Sequence, residues 1–264
     1  MAICAPWSGL WRQRRLLAEL TRREIVLSTR GTWFGTVWLV LAPLVLLAVY
    51  TFVFARILPT SGAAAWPTTG LRIFAALIPF TVFTDILTRS PLLIVANANY
   101  VKKTVFPVEL LPVARVATAT FFSLISLGLL LVFELVALRQ AYLAWLLAPL
   151  LYLPLLLLGL GVGWFLAALG VYVRDTVQLS GLLASILLFL TPVFYPLSLV
   201  PDRLRIFFWL NPLTVIVDSF RQTLVVGVGP DWGAWLLCLL GCGVLCQAGY
   251  GWFALTRRGF ADVI

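Results

Sequence analysis

Asp85 and Arg89 stand four residues apart inside an otherwise apolar stretch. On a helix that spacing puts both on one face with the acid N-terminal, the favourable order for an ion pair. Within a membrane such a pair is costly and faces a bundle interior or a wet cavity. It is therefore either a structural lock or part of a path for polar cargo. Arg89 holds Asp85 ionised, which argues against Asp85 as a proton carrier. Glu109 and Glu134 also lie near apolar segments, each with an arginine within six residues, and ion pairing is a simpler reading of them than acid–base catalysis.

Little else in the chain could do chemistry. Histidine is absent, which removes the usual neutral-pH general base and the commonest metal ligand. The only lysines, Lys102 and Lys103, follow no glycine-rich loop, so no P-loop is present. The motifs H-E-x-x-H, C-x-x-C and G-x-S-x-G are also missing. Cys238, Cys242 and Cys246 share one face of an apolar helix, but no histidine or carboxylate lies nearby in sequence to complete a metal site. They read as small side chains at a helix contact, and with Cys4 they imply no disulfide framework. The expectation is a chain with no catalytic residue, no metal site and no cofactor of its own.

The elements that must position these residues follow from charge spacing. Of 264 residues, 62% are apolar and only 11% charged, against about a quarter charged in soluble domains. The chain reads as an all-α integral membrane protein forming a single transmembrane domain over residues 1–264. A span needs about 20 mostly apolar residues. On that measure six spans are expected, at about 32–56, 71–95, 110–137, 141–172, 176–197 and 232–256. Residues 200–227 are apolar but broken by Asn211 and Pro212, and predict two short helices that dip in or lie at the interface. Gly159, Gly163 and Ala167 form a small-residue row on the fourth span, suited to dimerisation or to packing within one subunit.

The arginines between residues 12 and 30 are spread out and interleaved with Glu19 and Glu24, unlike a signal peptide. On a helical wheel Leu10, Leu16, Leu17, Leu20 and Leu27 fall within an arc of about 120°, with Arg12, Arg15, Glu19, Arg22 and Arg23 opposite. Residues 10–30 thus predict an amphipathic helix lying on the membrane surface. Both signs of charge, Glu19 and Glu24 included, suit its outer face to a protein partner. With six spans both termini share a side, which then carries eleven Lys and Arg against six on the other, so both ends are placed in the cytoplasm. The net charge of +9 fits a membrane surface or an anionic substrate better than nucleic acid.

The stretches "NANYVKKTVFPVELLPVARV", "LAALGVYVRDTVQL" and "TPVFYPLSLVPDRLRIFFWLNPLTVIVDSFRQTLVVG" follow the first span in order. With them the chain resembles, over nearly its full length, the membrane subunits of type-2 ATP-binding-cassette exporters. Within these it is most similar to the branch that exports O-antigen, capsule and teichoic-acid polysaccharides. The resemblance implies a homodimer in the bacterial inner membrane, bound to two copies of a separate cytoplasmic ATPase that holds MgATP. It places ATPase contacts on the amphipathic helix and on the cytoplasmic loop at about 97–107: here Glu19, Arg22, Arg23, Glu24, Asn97, Tyr100, Lys102 and Lys103, with Arg174 and Asp175 on the same side. It also makes the broken segment a pair of external gating helices, at about 201–211 and 213–226.

A lipid-linked polysaccharide needs a polar or aromatic route, because sugar rings stack on aromatic faces while their hydroxyls seek donors and acceptors. The chain holds 18 Phe, 11 Trp and 7 Tyr. Candidates for the glycan and lipid path are Arg30, Trp33, Phe34 and Trp38 with Asp85 and Arg89. Candidates for the external gate are Tyr195, Phe207, Phe208, Trp209, Asn211 and Pro212, with Phe194 in the same outer aromatic cluster. Many of these aromatics would equally form interfacial belts. The alternatives are a type-2 exporter of another amphiphile, such as a drug or lipid, and an ion-coupled secondary carrier.

Overall fold

The computed structural model describes residues 12–29, 37–53, 68–101, 106–195, 197 and 200–263. Among these residues every regular element is helical. They run α1 (Arg14–Thr29), α2 (Trp38–Phe52), α3 (Thr68–Ala96), α4 (Leu110–Phe133), α5 (Ala148–Tyr172), α6 (Thr176–Leu190), α7 (Asp202–Leu210), α8 (Pro212–Arg221) and α9 (Trp232–Thr256). Among the described residues four helical stretches are long and apolar enough to cross a membrane: Thr69–Ala96, Leu110–Val136, Leu143–Tyr172 and Trp232–Gly259. The α2 and α6 helices are apolar but have 15 residues each, roughly 22 Å of helix.

The bundle is organised around α3, which packs against α2, α4, α5, α6 and α8. It stays helical through Pro79 and Pro91. A proline removes one ladder donor, and in a membrane nearby hydroxyls can compensate the disturbed carbonyls. Thr81, Thr84, Thr88 and Ser90 all donate back to carbonyls of the preceding turn, and Asn97 donates to the Leu93 carbonyl at 2.9 Å to close the helix end. Phe74, Ile78 and Ile86 of α3 meet Leu151, Leu155 and Trp164 of α5 in one continuous core.

The α5–α9 contact is close enough to exclude side chains. A Cβ at Gly249 would collide with the Gly161 backbone, and one at Gly161 would lie 2.6 Å from the Leu245 carbonyl oxygen. The Cys stripe borders this seam, with Cys242 and Cys246 buried and Cys238 within 3.6 Å of the Pro212 carbonyl. The small-residue row of α5 packs inside the subunit. A Cβ at Gly159 would lie 2.8 Å from Ile86, and Gly163 faces Ile86, Ser90 and Pro112.

Three expectations from the sequence change. The fifth span is shorter than 176–197, because α6 stops at Leu190 and Thr191 is extended. Glu109 pairs not with its neighbour in sequence but with Arg257, at 3.3 Å. Among the described residues Glu134 finds no pair: it is 1% exposed and neither carboxylate oxygen has a hydrogen-bond partner there. It sits in a wide turn, Glu134–Leu138, that closes on Arg139 in the left-handed region at φ 53°.

Candidate functional site

The arginine that organises the charged centre was not among the sequence candidates. Arg115, one turn into α4, is 8% exposed and donates to Asp85 of α3 through Nη2. Asp85 also receives Arg89 Nε at 2.9 Å, the pairing expected from their spacing. The other side of Arg115 faces Glu24 of α1, with Nη1 3.7 Å from Oε2. One guanidinium thus joins two acids on two further elements, and its planar fork suits two carboxylates at once. Burial pushes the Glu24 carboxyl above the usual range, and the Arg115 charge pulls it partly back. Glu24 therefore does not stand on the outer face of α1 beside Glu19 but points into the bundle.

Asp85 belongs to a polar row. Thr81, Thr84, Asp85, Thr88 and Arg89 follow one another at helical spacing on α3, and Thr81 and Arg89 are exposed at the bundle surface. Across from them Ser123, Ser126 and Phe122 of α4 complete a cavity of about 180 Å³. Ser123 Oγ lies 3.0 Å from Tyr152 Oη of α5, which ties this wall to the core. A polar row on the outside of an apolar helix must meet water, polar cargo or a second copy.

At the end of the bundle near Glu24 the elements expected to meet a partner are joined. Leu16, Leu17 and Leu20 of α1 pack on Leu110 and Ala114 of α4 and on Phe106. Leu27, placed on the same apolar arc by the wheel, is 53% exposed. Arg23 donates to Tyr100 Oη and lies 5.7 Å from that ring's centre, while Tyr100 stacks on Phe106 at 4.5 Å. Glu19 and Arg22 are exposed on the opposite face of α1. Asn97 serves the α3 end through its bond to Leu93. Arg174 and Asp175 are exposed in the α5–α6 turn, and Tyr172 beside them donates to the Thr256 carbonyl at 2.9 Å. Lys102, Lys103, Arg30, Trp33 and Phe34 lie outside the described residues. Trp38 starts α2 and is 42% exposed.

At the opposite end α7 and α8 are held to the end of α6. Asn211 caps α8 by accepting from Leu213 N at 3.0 Å, and its amide donates to Thr191 Oγ1 at 3.1 Å and to the Leu190 carbonyl at 3.3 Å. Pro212 then opens α8 at a position where no donor is needed. Arg221, another residue missed from sequence, donates to the carbonyls of Pro192 and Val193 at 2.6 and 3.0 Å. Tyr195 donates to the Phe189 carbonyl at 2.5 Å and meets the Phe208 ring edge-on at 6.3 Å. Phe194 meets Tyr50 of α2 at 5.7 Å. Trp209 is 52% exposed, and Phe207 lies in α7.

The family model for ABC-2 type transporters matches residues 15–225, four fifths of the chain and every element of this site. The chain belongs to that family. An ABC-2 type transporter membrane subunit is a multi-pass protein that works with an ATP-binding-cassette partner carried on a separate chain. The similar proteins include an O-antigen export system permease protein RfbA of Myxococcus xanthus, 28% identical over 97% of both chains. One of the same name from Klebsiella pneumoniae is 24% identical over 81% of both. The polysialic acid transport protein KpsM of Escherichia coli is 26% identical over 83% of this chain and 85% of its own.

Proposed function

We propose that this ABC-2 type transporter subunit exports a lipid-linked polysaccharide across the bacterial inner membrane. It acts as a homodimer driven by two copies of a cytoplasmic ATPase that binds MgATP. The observation that carries the reading is the polar row of α3, exposed at Thr81 and Arg89 within a helix long and apolar enough to cross a membrane, in a chain whose similar proteins are named for O-antigen and polysialic acid transport. Hydroxyls and an ionised pair on that row offer sugar hydroxyls both donors and acceptors, and Phe122 offers a ring face. The six-span arrangement with both termini cytoplasmic puts α1, Tyr100, Arg174 and Asp175 on the ATPase side. It puts α7 and α8 outside as the gate.

In this mechanism closure of the ATPase dimer pushes on α1 and on the loop containing Tyr100. The push reaches α3 because Arg23 ties α1 to Tyr100 and Arg115 ties Glu24 to Asp85. A two-state motion is driven only by contacts that differ between the states, and these pairs are charged contacts between separate elements. At the far end the gate opens by releasing Asn211 and Arg221 from the α6 end.

Gentle purification from the native host, with intact-mass and ATP hydrolysis measurements, tests the assembly. A particle of two copies of this chain and two of a nucleotide-binding chain is expected. A lone chain or an ATPase-free oligomer under several mild detergents would refute it.

A further inference from the structure

The face formed by α7, α8 and the first half of α9, whose first two helices form the proposed gate, also carries a two-part groove. Its upper part is a cavity of about 170 Å³ with a polar rim, including Asp218 of α8, Gln222 just past its end and Asp231 at the start of α9. Its lower part is a larger apolar slot of about 500 Å³, walled by Pro212, Leu237, Cys238, Gly241, Val244 and Leu245. Trp209, Val215 and Ala234 line both, so the two parts adjoin along one face.

The polar part carries an unmet demand for a ligand. Thr214 lines it, is 2% exposed, and its Oγ1 has no hydrogen-bond partner among the described residues. Asp231 is exposed and uses one oxygen on Gly233 N and Ala234 N as the cap of α9. Asp218 accepts from Gln222, and Arg221 reaches it only at 3.9 Å because that guanidinium is committed to Pro192 and Val193. The rim is therefore acidic, with an indole face beside it. Carboxylates and an aromatic face together suit an ammonium group.

The apolar part has the dimensions of a chain site. From Asp231 to Leu245 is 14 residues along α9, roughly 21 Å of rise, which covers a headgroup zone and one leaflet of a hydrocarbon core about 30 Å thick. Gly241 opens the wall, because a Cβ there would meet nothing within 4 Å.

We infer that this groove binds one membrane phospholipid with a primary-ammonium headgroup. The ammonium sits between Asp218, Asp231 and Trp209, Thr214 meets a headgroup oxygen, and an acyl chain lies in the slot past Gly241. The inference holds for any cargo and does not rest on the export reading.

The test is native mass spectrometry of the full-length chain, titrated with phosphatidylethanolamine or phosphatidylglycerol of identical acyl chains. Wild type should show roughly fivefold more of the ethanolamine adduct. The double variant Asp218→Asn, Asp231→Asn should lose that preference, since asparagine keeps the helix cap and the Gln222 bond while removing both charges. Gly241→Leu should reduce adducts of both lipids with the oligomeric mass unchanged. Equal binding of the two lipids by wild type would overturn the proposal. So would a preference that survives the double variant, or a change of oligomeric mass in Gly241→Leu, which would make the slot an interface between copies.

Discussion

Arg115 Nη1 and Glu24 Oε2 lie 3.7 Å apart and bridge the surface helix to the first turns of α4, while the same guanidinium holds Asp85 of α3. Three elements therefore meet at one side chain. Removing it leaves two acids facing each other in a site only about a quarter exposed. Breaking a buried pair costs roughly 3–5 kcal/mol, and access of water to the acids brings this to about 2 kcal/mol. Arg115→Gln should lower the melting temperature of the purified chain by several degrees. Arg115→Lys should recover only part of it, because an ammonium cannot fork between the acids.

Glu24→Gln separates coupling from stability. The glutamine keeps the shape but not the charge that Arg115 feels. Transport per ATP hydrolysed should fall several-fold while the ATPase still copurifies and hydrolyses ATP. Unchanged transport per ATP would remove Glu24 from the coupling route.

The pH dependence has a definite sign. The folded-state value of Glu24 is raised above the unfolded one. Its contribution is therefore fully present below the ordinary carboxylate value and is lost as pH rises through the raised value. Between mildly acidic and neutral pH, wild type should lose a small increment of stability that Glu24→Gln does not lose. Melting curves of both proteins across that window check it. A steeper loss in the variant would contradict the assignment.

Much of this was legible in the charges. Their spacing marked the apolar segments, and the four-residue interval brought Asp85 and Arg89 together. Arg115 was not legible as their partner, because it is 30 residues from Asp85 and on another helix. Glu24 was assigned to the outer face for its charge alone, although the wheel sets it within the arc of the leucines, the side on which it meets Arg115. The early end of α6 depends on how Thr191 and Pro192 turn toward Asn211 and Arg221, a contact between segments about 20 and 29 residues apart.

Gly249→Leu should prevent assembly of the α5–α9 seam. The added side chain starts against the Gly161 backbone, which cannot rotate away. Overpacking costs typically 1–3 kcal/mol when side chains can yield, and backbone contact puts this case at the upper end or beyond. Gly243→Leu, where a Cβ meets nothing within 4 Å, is the control. Membrane yield and monodispersity should collapse for the first and hold for the second.

Asn211→Ala removes a cap, worth about 1 kcal/mol, together with the bond to Thr191. Arg221→Gln removes the clamp on Pro192 and Val193. The double variant should increase protease access to the α6–α7 segment in intact membranes with little change in ATPase binding. Wild-type protection would argue against these two residues as the gate's fastening.

The account turns on ATP-driven movement of a lipid-linked polysaccharide through this chain. The most direct measurement loads inside-out membrane vesicles, containing the chain and its ATPase, with labelled lipid-linked polysaccharide from the host. The polysaccharide that becomes protected in the lumen is then followed. The account expects accumulation that needs ATP and falls several-fold when Asp85→Asn is combined with Arg89→Gln. Accumulation without ATP, or none with ATP while the complex is intact and hydrolysing, would contradict it.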